Sequence, residues 1–184
     1  MRLLQSSWSL NQEEESLIDP NSTKLHAASV RGHIDKIVKH LKKTDVNSQD
    51  GFARTPLHLA ACGGHTQAVN LLLDRGASVD NQDNKGLTAL CHAVESGHLD
   101  TAQSLVSRGA STDIPDLQGD SCVHLAVRRA SRDILALLLR KGANPDIINC
   151  EGQSPLHLAV AENDIDSVNI LLRNGALVNI RYYC

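Results

Sequence analysis

A short motif recurs along the chain at a fixed spacing, and this repeat constrains the fold more than any other feature. The hexapeptide that begins at Thr55 (Thr-Pro-Leu-His-Leu-Ala) returns in variant form at Thr88, Ser121 and Ser154, each time 33 residues further on. Another variant begins at Thr23, 32 residues before Thr55. Five copies in register predict a row of small units, each packed only against its neighbours, rather than one core formed by distant segments.

The residues of one unit predict two short helices and a loop. Thr55 is a good N-cap, and Pro56 suits the first helical position because the missing N–H has no partner there. Gly64 is placed to end the first helix in a left-handed conformation, and Gly76 to end the second. The polar segment 79–88 is rich in turn residues. We therefore expect a helix-turn-helix unit followed by an extended, hairpin-like loop.

The composition agrees with thin stacked layers. Aromatic residues make up only 2% of the 184 residues, so the core has to be built from Leu, Ala, Val and Ile. The formal net charge of −3 provides no basic field for nucleic acid, and no apolar run approaches the roughly 20 residues of a membrane span. We therefore expect neither nucleic acid nor membrane among the partners.

The cysteines indicate a reducing compartment. There are five, an odd number, with no Cys-x-x-Cys pair, which favours free thiols over a disulfide framework. The first residues, MRLLQSSWSLNQEEES, become polar and acidic too early for a signal peptide. The predicted location is cytoplasmic and possibly nuclear.

The repeated motif resembles that of the ankyrin-repeat family, whose hallmark is Thr-Pro-Leu-His-x-Ala at about 33 residues. The resemblance implies an all-α solenoid of helix-turn-helix units joined by β-hairpin-like loops. We expect five repeats at about 23–46, 47–79, 80–112, 113–145 and 146–181. They follow an acidic leader, residues 1–22, predicted to be disordered or a short helix, and precede a tail, residues 182–184.

His58, Cys62 and His65 share one predicted helical face, as in a zinc site or a Cys/His nucleophile pair. The repeat argues against both readings. Histidine recurs in the slots of His58 and His65, whereas the Cys62 slot changes chemistry from unit to unit. The resemblance implies that the His58-type histidines tie neighbouring turns together by hydrogen bonds. With no phosphate-binding loop, His-Glu-x-x-His or Gly-x-Ser-x-Gly motif elsewhere, we predict no enzyme activity, catalytic residue, metal or cofactor.

Positions that vary between units are where partner specificity can be encoded, and the resemblance implies that two sets of them line a concave groove for a partner protein. The loop tips contribute Phe52, Arg54, Asn84, Lys85, Leu87, Leu117, Gln118, Asp120, Glu151 and Gln153. The ends of the first helices contribute Cys62, Glu95, Arg128, Arg129 and Glu162. The predicted function is a non-enzymatic interaction module: an adaptor, a scaffold or a stoichiometric inhibitor of a protein of unknown identity.

Two groups of these predicted binding residues, Phe52 and the arginines near the end of the fourth unit's first helix, each have two interpretations. Phe52, the single phenylalanine, is either a binding hot spot or a lid folded back over the first unit. Arg128 and Arg129, with Arg132 nearby, form either a basic spot for an acidic or helical partner segment or a solvated charge cluster.

Departures from the repeat predict local irregularities. Ala130 replaces the glycine that ends the first helix, which predicts strain of about 1 kcal/mol or a shifted helix end. Ala53 replaces a loop glycine, which predicts an irregular first loop. His40, Thr44 and nearby lysines make the first unit polar, as expected of an N-terminal cap.

The last unit carries an apolar second helix, marked by Val168 and Ile170, with no following unit in the sequence to cover it. One possibility is that Tyr182 and Tyr183 fold back over it. A second is that this face drives self-association, which would make the chain a structural element. A third is that the chain is a truncated form of a longer ankyrin-repeat protein.

Overall fold

The structure is a computed structural model that describes residues 21–179. Within this range the chain forms ten α-helices and no strand, so the predicted all-α fold is confirmed. The helices are α1 (Lys24–Val30), α2 (Ile34–Leu41), α3 (Pro56–Cys62), α4 (Thr66–Asp74), α5 (Ala89–Glu95), α6 (Leu99–Ser107), α7 (Cys122–Arg128), α8 (Arg132–Arg140), α9 (Pro155–Ala161) and α10 (Ile165–Arg173). Nearly all of the predicted leader, and the tail, lie outside the described residues.

The helices are arranged as five pairs stacked in two layers. The first helices α1, α3, α5, α7 and α9 contact one another in sequence, and so do the second helices α2, α4, α6, α8 and α10. Within a unit the two helices contact each other across a turn of three residues. Because the interhelical contacts are dominated by neighbours, the molecule is a solenoid.

Each first helix begins as the sequence predicts. Thr55 adopts an extended N-cap conformation, and Pro56 occupies the first helical turn. The Thr55 hydroxyl accepts the backbone N–H of His58, and the His58 ring accepts the backbone N–H of Thr55, which completes a capping box. The same box forms at Thr23, Ser121 and Ser154, each with a histidine three residues later. The recurring Thr/Ser and His therefore fix the start of these helices.

The core is continuous and aliphatic, as the composition predicts. Leucines from successive units are fully buried along both layers, for example Leu25, Leu57 and Leu90 in the first helices and Leu72, Leu105 and Leu138 in the second. Alanines such as Ala60, Ala93 and Ala126 are also fully buried between the helices. Small side chains at these positions let adjacent units approach closely.

The turn inside the fourth unit confirms one of two expectations for Ala130. Its φ of 49° is left-handed, which costs a non-glycine residue roughly 1–2 kcal/mol. The first helix of this unit still ends at Arg128, the slot of Glu95 in the third unit, so the helix end is not shifted. The sequence analysis missed that Asn163 is also left-handed, with φ 54°.

The expectation of an irregular first loop is wrong. Ala53 accepts the left-handed conformation of its glycine counterparts, with φ 59° against 79° at Gly86. The Ala53 N–H donates to the Asp50 carbonyl over 3.0 Å, as Gly86 donates to Asp83 over 2.9 Å. The strained Ala53 therefore forms the same turn as its glycine counterparts.

Candidate functional site

The loops between units, called fingers here, end in a turn built on one side chain. Oδ1 of Asp83 accepts the N–H of Lys85 over 2.8 Å and that of Leu87 over 2.9 Å. Asp50, Asp116 and Asn149 make the equivalent pair of bonds in their own fingers. One acceptor that satisfies two backbone N–H groups shapes the tip whatever side chains lie between them.

Backbone hydrogen bonds also join each finger tip to the next. The Asn84 N–H donates to the Phe52 carbonyl over 3.0 Å, and the Leu117 N–H donates to that of Lys85 over 3.0 Å. The Cys150 N–H donates to the Gln118 carbonyl over 2.8 Å. The tips are thereby held in one continuous row along the stack.

Phe52 is exposed rather than folded over the first unit. Its residue surface is 48% accessible, and the guanidinium carbon of Arg54 lies 4.9 Å from the ring centroid. Arg54 is itself held by Asp50, with Nη2 2.7 Å and Nε 2.9 Å from Oδ2. Arg54 therefore positions the aromatic ring through a cation–π contact.

Two predicted binding residues are not accessible, and these assignments are corrected. Leu87 is 5% exposed and belongs to the core, because its side chain points inward while its carbonyl accepts a bond from His58. Asp120 is 4% exposed, where it accepts bonds from Arg128 and from the Asn149 amide. Both residues stabilise the stack and present no side chain to a partner.

The arginines near the end of α7 are paired with acidic side chains of this same chain. Arg128 Nε donates to Asp120 over 2.9 Å, and Arg129 lies 3.6 Å from Glu95. Arg132 reaches two carboxylates of the last unit, Asp164 at 3.2 Å and Asp166 at 2.7 Å. These ion pairs reduce the positive field that the sequence suggested, although all three arginines keep exposed surface.

The other candidates divide by exposure. Those that face solvent are Asn84, Lys85, Leu117, Gln118, Glu151 and Glu162. Those that are half-buried are Cys62, Glu95 and Gln153. Leu117 stands out among them, since it is an apolar side chain that is 68% exposed at a finger tip.

His58 acts as a clasp between units. Its Nδ1 accepts the Thr55 N–H over 3.0 Å, so Nε2 carries the proton and donates to the carbonyls of Asn81 at 2.9 Å and Leu87 at 3.1 Å. Burial lowers the pKa of His58 to about 4, which keeps the imidazole neutral. His26 and His124 reach the following finger in the same way.

His65 also turns away from Cys62. Its Nε2 donates over 2.9 Å to the carbonyl of Val30 in the preceding unit. Within residues 21–179, no three His, Cys, Asp or Glu side chains converge in an arrangement able to hold a metal ion. The spacing that suggested a zinc site therefore serves two separate contacts between units.

Sequence reasoning missed the contacts that Cys62 and His92 make. The Cys62 Sγ lies 3.6 Å from the hydroxyl of Ser96 in the third unit. His92 Nε2 lies 2.9 Å from Asp83 Oδ2. The repeat contained a signal for this contact, because units two, four and five carry leucine in the slot of His92.

The electrostatics around His92 favour its protonated form. The proximity of His92 lowers the pKa of Cys62 from its ordinary value, against the opposing effect of burial. Burial alone would lower the pKa of His92, but its hydrogen bond with Asp83 and the influence of Cys62 raise it to about 9. The imidazole is therefore cationic at neutral pH and stabilises negative charge on both neighbours.

The last unit exposes apolar side chains, but not the two that the sequence suggested. Val168 and Ile170 are half-buried and pack against the core. Exposure falls instead on Ile165 at 73% and Leu172 at 42% in α10, and on Val160 at 60% in α9.

Comparison with known proteins agrees with the helix pairs and the repeated caps. The family description "Ankyrin repeats (3 copies)" matches residues 25–116 and 109–182, which together span most of the chain. The chain belongs to the ankyrin-repeat family. The human protein named "Ankyrin repeat domain-containing protein 7" is 41% identical over 81 residues, covering 41% of this chain and 32% of that protein. The alignment thus covers about a third of that relative's length.

Membership gives this chain a general role. Ankyrin repeats generally mediate protein–protein interaction, and the family is typically a non-enzymatic binding module. No helix within residues 21–179 is long and apolar enough to cross a membrane.

Proposed function

We propose that this chain is a non-enzymatic module that binds a partner protein through its finger tips and the adjoining ends of its first helices, acting as an adaptor, a scaffold or a stoichiometric inhibitor. The observation that carries the proposal is the fingertip row, defined as the exposed residues Phe52, Asn84, Lys85, Leu117, Gln118 and Glu151. It presents two large apolar side chains, Phe52 and Leu117, on a backbone that hydrogen bonds already hold in place.

The fingertip row is suited to binding for two physical reasons. A few side chains, with aromatic ones prominent among them, supply most of the energy at protein interfaces. The Phe52 ring contacts the Arg54 guanidinium, whose carbon lies 4.9 Å from the ring centroid. A surface that is ordered before binding loses less conformational entropy when the partner arrives. The polar and charged tips beside these anchors supply specificity.

The charged ends of the first helices have a secondary part in this proposal. Glu95, Arg128, Arg129 and Glu162 alternate in sign along the stack. Arg128 pairs with Asp120, and Arg129 pairs with Glu95. Such pairs select partners by complementarity more than they add affinity. The overall charge of −3 and these pairs support a protein partner over nucleic acid. The free thiols of Cys62, Cys91, Cys122 and Cys150 support a cytoplasmic or nuclear location.

A comparative capture experiment tests the site. Wild type is immobilised beside Phe52→Ala/Leu117→Ala, and beside the control Gln103→Ala/Arg140→Ala, which changes exposed residues on the second helices. Proteins that wild type and control retain and the tip variant loses are identified, and their affinities are then measured with purified components. We expect at least about a tenfold weaker Kd for the tip variant. Equal binding by all three proteins would move the site away from the fingertip row.

A second candidate is self-association, which the exposed Val160, Ile165 and Leu172 of the last unit favour. Light scattering across a concentration series measures it directly. Growth of the mass with concentration, abolished by Ile165→Lys/Leu172→Lys and retained by the tip variant, is the expected signature. A constant monomer mass would exclude this second function.

A further inference from the structure

We propose that Cys91 and Cys122 form a modification site, a buried pair of thiols that a low-molecular-weight disulfide such as oxidised glutathione converts into a disulfide bond between the third and fourth units. The two sulfur atoms lie 3.1 Å apart, although the residues are separated by 31 positions in the chain. Cys91 lies in α5 and Cys122 begins α7, so the bond joins the first helices of adjacent units.

The pair exists because two neighbouring units depart from the repeat at positions that meet. Cys91 occupies the slot that holds histidine in the other four units, and Cys122 occupies the slot of Pro56 and Pro155. A cysteine in one of these slots alone would meet no second thiol. The site therefore depends on both departures together.

The boundary between the third and fourth units lacks both of the histidine bonds that join the earlier units. The clasp slot of the third unit holds Cys91, and the slot that follows the turn in the fourth unit holds Ser131. By contrast, His58 and His98 each bond across the boundary between the second and third units. The thiol pair thus takes the place of a hydrogen-bonded clasp, and its oxidation supplies a covalent one.

The two sulfur atoms lie in a dry and ordered environment. Both cysteines are fully buried, and the Thr88 hydroxyl donates to the Cys91 Sγ over 3.3 Å. The S–S bond of a disulfide is about 2.05 Å long. The sulfur atoms therefore need to approach by only about 1 Å, which small rotations of the two side chains can supply.

Cys91 is the thiol of the pair that ionises first. The hydrogen bond with Cys122 lowers the pKa of Cys91 from its ordinary value, although burial opposes this effect. The same contact, together with burial, raises the pKa of Cys122. Because the thiolate is the nucleophile in thiol–disulfide exchange, Cys91 attacks the oxidant and Cys122 completes the bond.

The oxidation consists of two exchange steps. The Cys91 thiolate attacks one sulfur of glutathione disulfide, which forms a mixed disulfide and releases one glutathione thiolate. Cys122 then loses its proton, its sulfur attacks the Cys91 sulfur and the second glutathione thiolate leaves. The two protein thiols lose two electrons and two protons in total, and the glutathione disulfide gains them as it becomes two glutathione thiols.

The oxidant reaches this buried pair when the third and fourth units separate transiently. Proteins open locally, and regions with fewer stabilising contacts open more readily. The boundary without histidine bonds is therefore where we expect access. In a reducing compartment such a disulfide is reversible, because the glutathione pool can return it to two thiols by the same steps.

The experiment equilibrates the whole protein in buffers that range from reduced to oxidised glutathione, blocks the remaining thiols with N-ethylmaleimide and maps the disulfides by peptide mass spectrometry. A variant that keeps only this pair of cysteines, Cys62→Ser/Cys150→Ser/Cys184→Ser, is treated in parallel. We expect a Cys91–Cys122 cross-link in both proteins. Because the bond closes a loop of 31 residues, the oxidised variant should unfold at a Tm roughly 5–10 °C above that of its reduced form.

Two substitutions in the pair-only variant serve as matched controls. Cys91→His restores the residue of the other clasp slots, and Cys122→Ala copies Ala89 of the third unit. Each leaves one thiol at the boundary, so oxidised glutathione should produce neither the cross-link nor the rise in Tm. Circular dichroism checks that both remain folded.

Three results would overturn the proposal. The first is a Cys91–Cys122 bond that forms only in denaturing urea. The second is glutathione attached to the cysteines without this cross-link at any buffer ratio. The third is an oxidised pair-only variant that is no more stable than its reduced form.

Discussion

The first three units and the last two units differ in the turn that joins the two helices of each unit. In the first three units a histidine follows the turn glycine, and His65 and His98 each reach back to bond a carbonyl of the preceding unit, over 2.9 Å and 3.0 Å. In the fourth and fifth units Ser131 and Asp164 occupy this slot. Asp164 instead caps its own helix and pairs with Arg132.

This difference explains where glycine is required. The His98 ring covers the turn of the second unit, so a methyl group at Gly64 would lie 2.6 Å from its Nδ1. At Gly97 the next unit offers Ser131 instead of a ring. Apart from the glycine and its neighbours in the chain, no atom of the described residues lies within 4 Å of such a methyl group. The turns of the first two units, which a histidine ring of the following unit covers, thus need glycine for both backbone conformation and space. The turn of the third unit has no such ring over it, so glycine serves conformation alone there, and the turns of the last two units carry Ala130 and Asn163 instead.

The largest expected effect is that of Gly64→Ala against Gly97→Ala. Both place a side chain at positive φ, 69° and 76°, but only the first also collides with a ring. We expect a loss of about 3 kcal/mol for Gly64→Ala and about 1 kcal/mol for Gly97→Ala in the free energy of unfolding, measured by urea denaturation.

A double-mutant cycle locates the cause of this difference. In the His98→Ser background, which copies Ser131, the collision is gone and Gly64→Ala should cost only about 1 kcal/mol. An unchanged cost in that background would show that the ring is not responsible. Equal costs for the two single substitutions would remove the distinction between turns that a histidine ring covers and turns that it does not.

Acidification should weaken the clasp that His58 makes between the second and third units. Its pKa in the folded state, about 4, lies below the value of 6.5 for an ordinary histidine. The unfolded state therefore takes up a proton first, so stability is complete above pH 6.5 and declines toward pH 4. We expect His58 to account for about 2 kcal/mol of lost stability at pH 4.5.

Denaturation at pH 7.5 and pH 4.5 measures this contribution. In His58→Gln the extra loss on acidification should be smaller by about that amount, although the variant is less stable at both values of pH. A pH dependence identical to that of wild type would contradict the assignment of a neutral, buried clasp.

The smallest expected effect is a gain of stability. Ala130→Gly removes the strain of a left-handed alanine, partly offset by the greater freedom of glycine in the unfolded chain, so we expect about 0.5–1 kcal/mol of added stability. Thermal unfolding monitored by circular dichroism measures it. Ala136→Gly, inside α8, is the control and should destabilise by roughly 0.5–1 kcal/mol. A loss of stability in Ala130→Gly would contradict the strain argument.

The sequence predicted what each unit repeats. The cap at Thr55 and the turn within segment 79–88 depend on residues a few positions apart, so their spacing carries the information. The hydrogen bonds of His58 cross 23 and 29 residues of the chain, and the resemblance to the ankyrin-repeat family was what implied them. Exposure was harder to predict. Leu87 shares a slot with Arg54 and Gln153, and its burial follows from packing against the core, which a list of variable positions does not reveal.

Contacts that cross between units without repeating were missed for a related reason. The comparison of slots treated Cys62 as a solitary variation, although its Sγ lies 3.6 Å from the hydroxyl of another variation, Ser96 in the next unit. Two exceptions that meet in space have no periodicity to reveal them. Likewise, Asn163 adopts positive φ at an exposed turn, where asparagine is among the residues that tolerate it.

The side-chain turn at the finger tips has a consequence for how such a chain can change its target. Since one oxygen of Asp50, Asp83, Asp116 or Asn149 organises its own loop, the two residues that follow it carry no structural duty through their side chains. Exchanging the pair Asn84-Lys85 with Leu117-Gln118 would change the order of the side chains along the fingertip row, while the hydrogen bonds that shape each loop stayed in place. The residues that determine the fold are thus distinct from those that determine specificity, so a new binding surface can arise by exchange of tip residues between fingers.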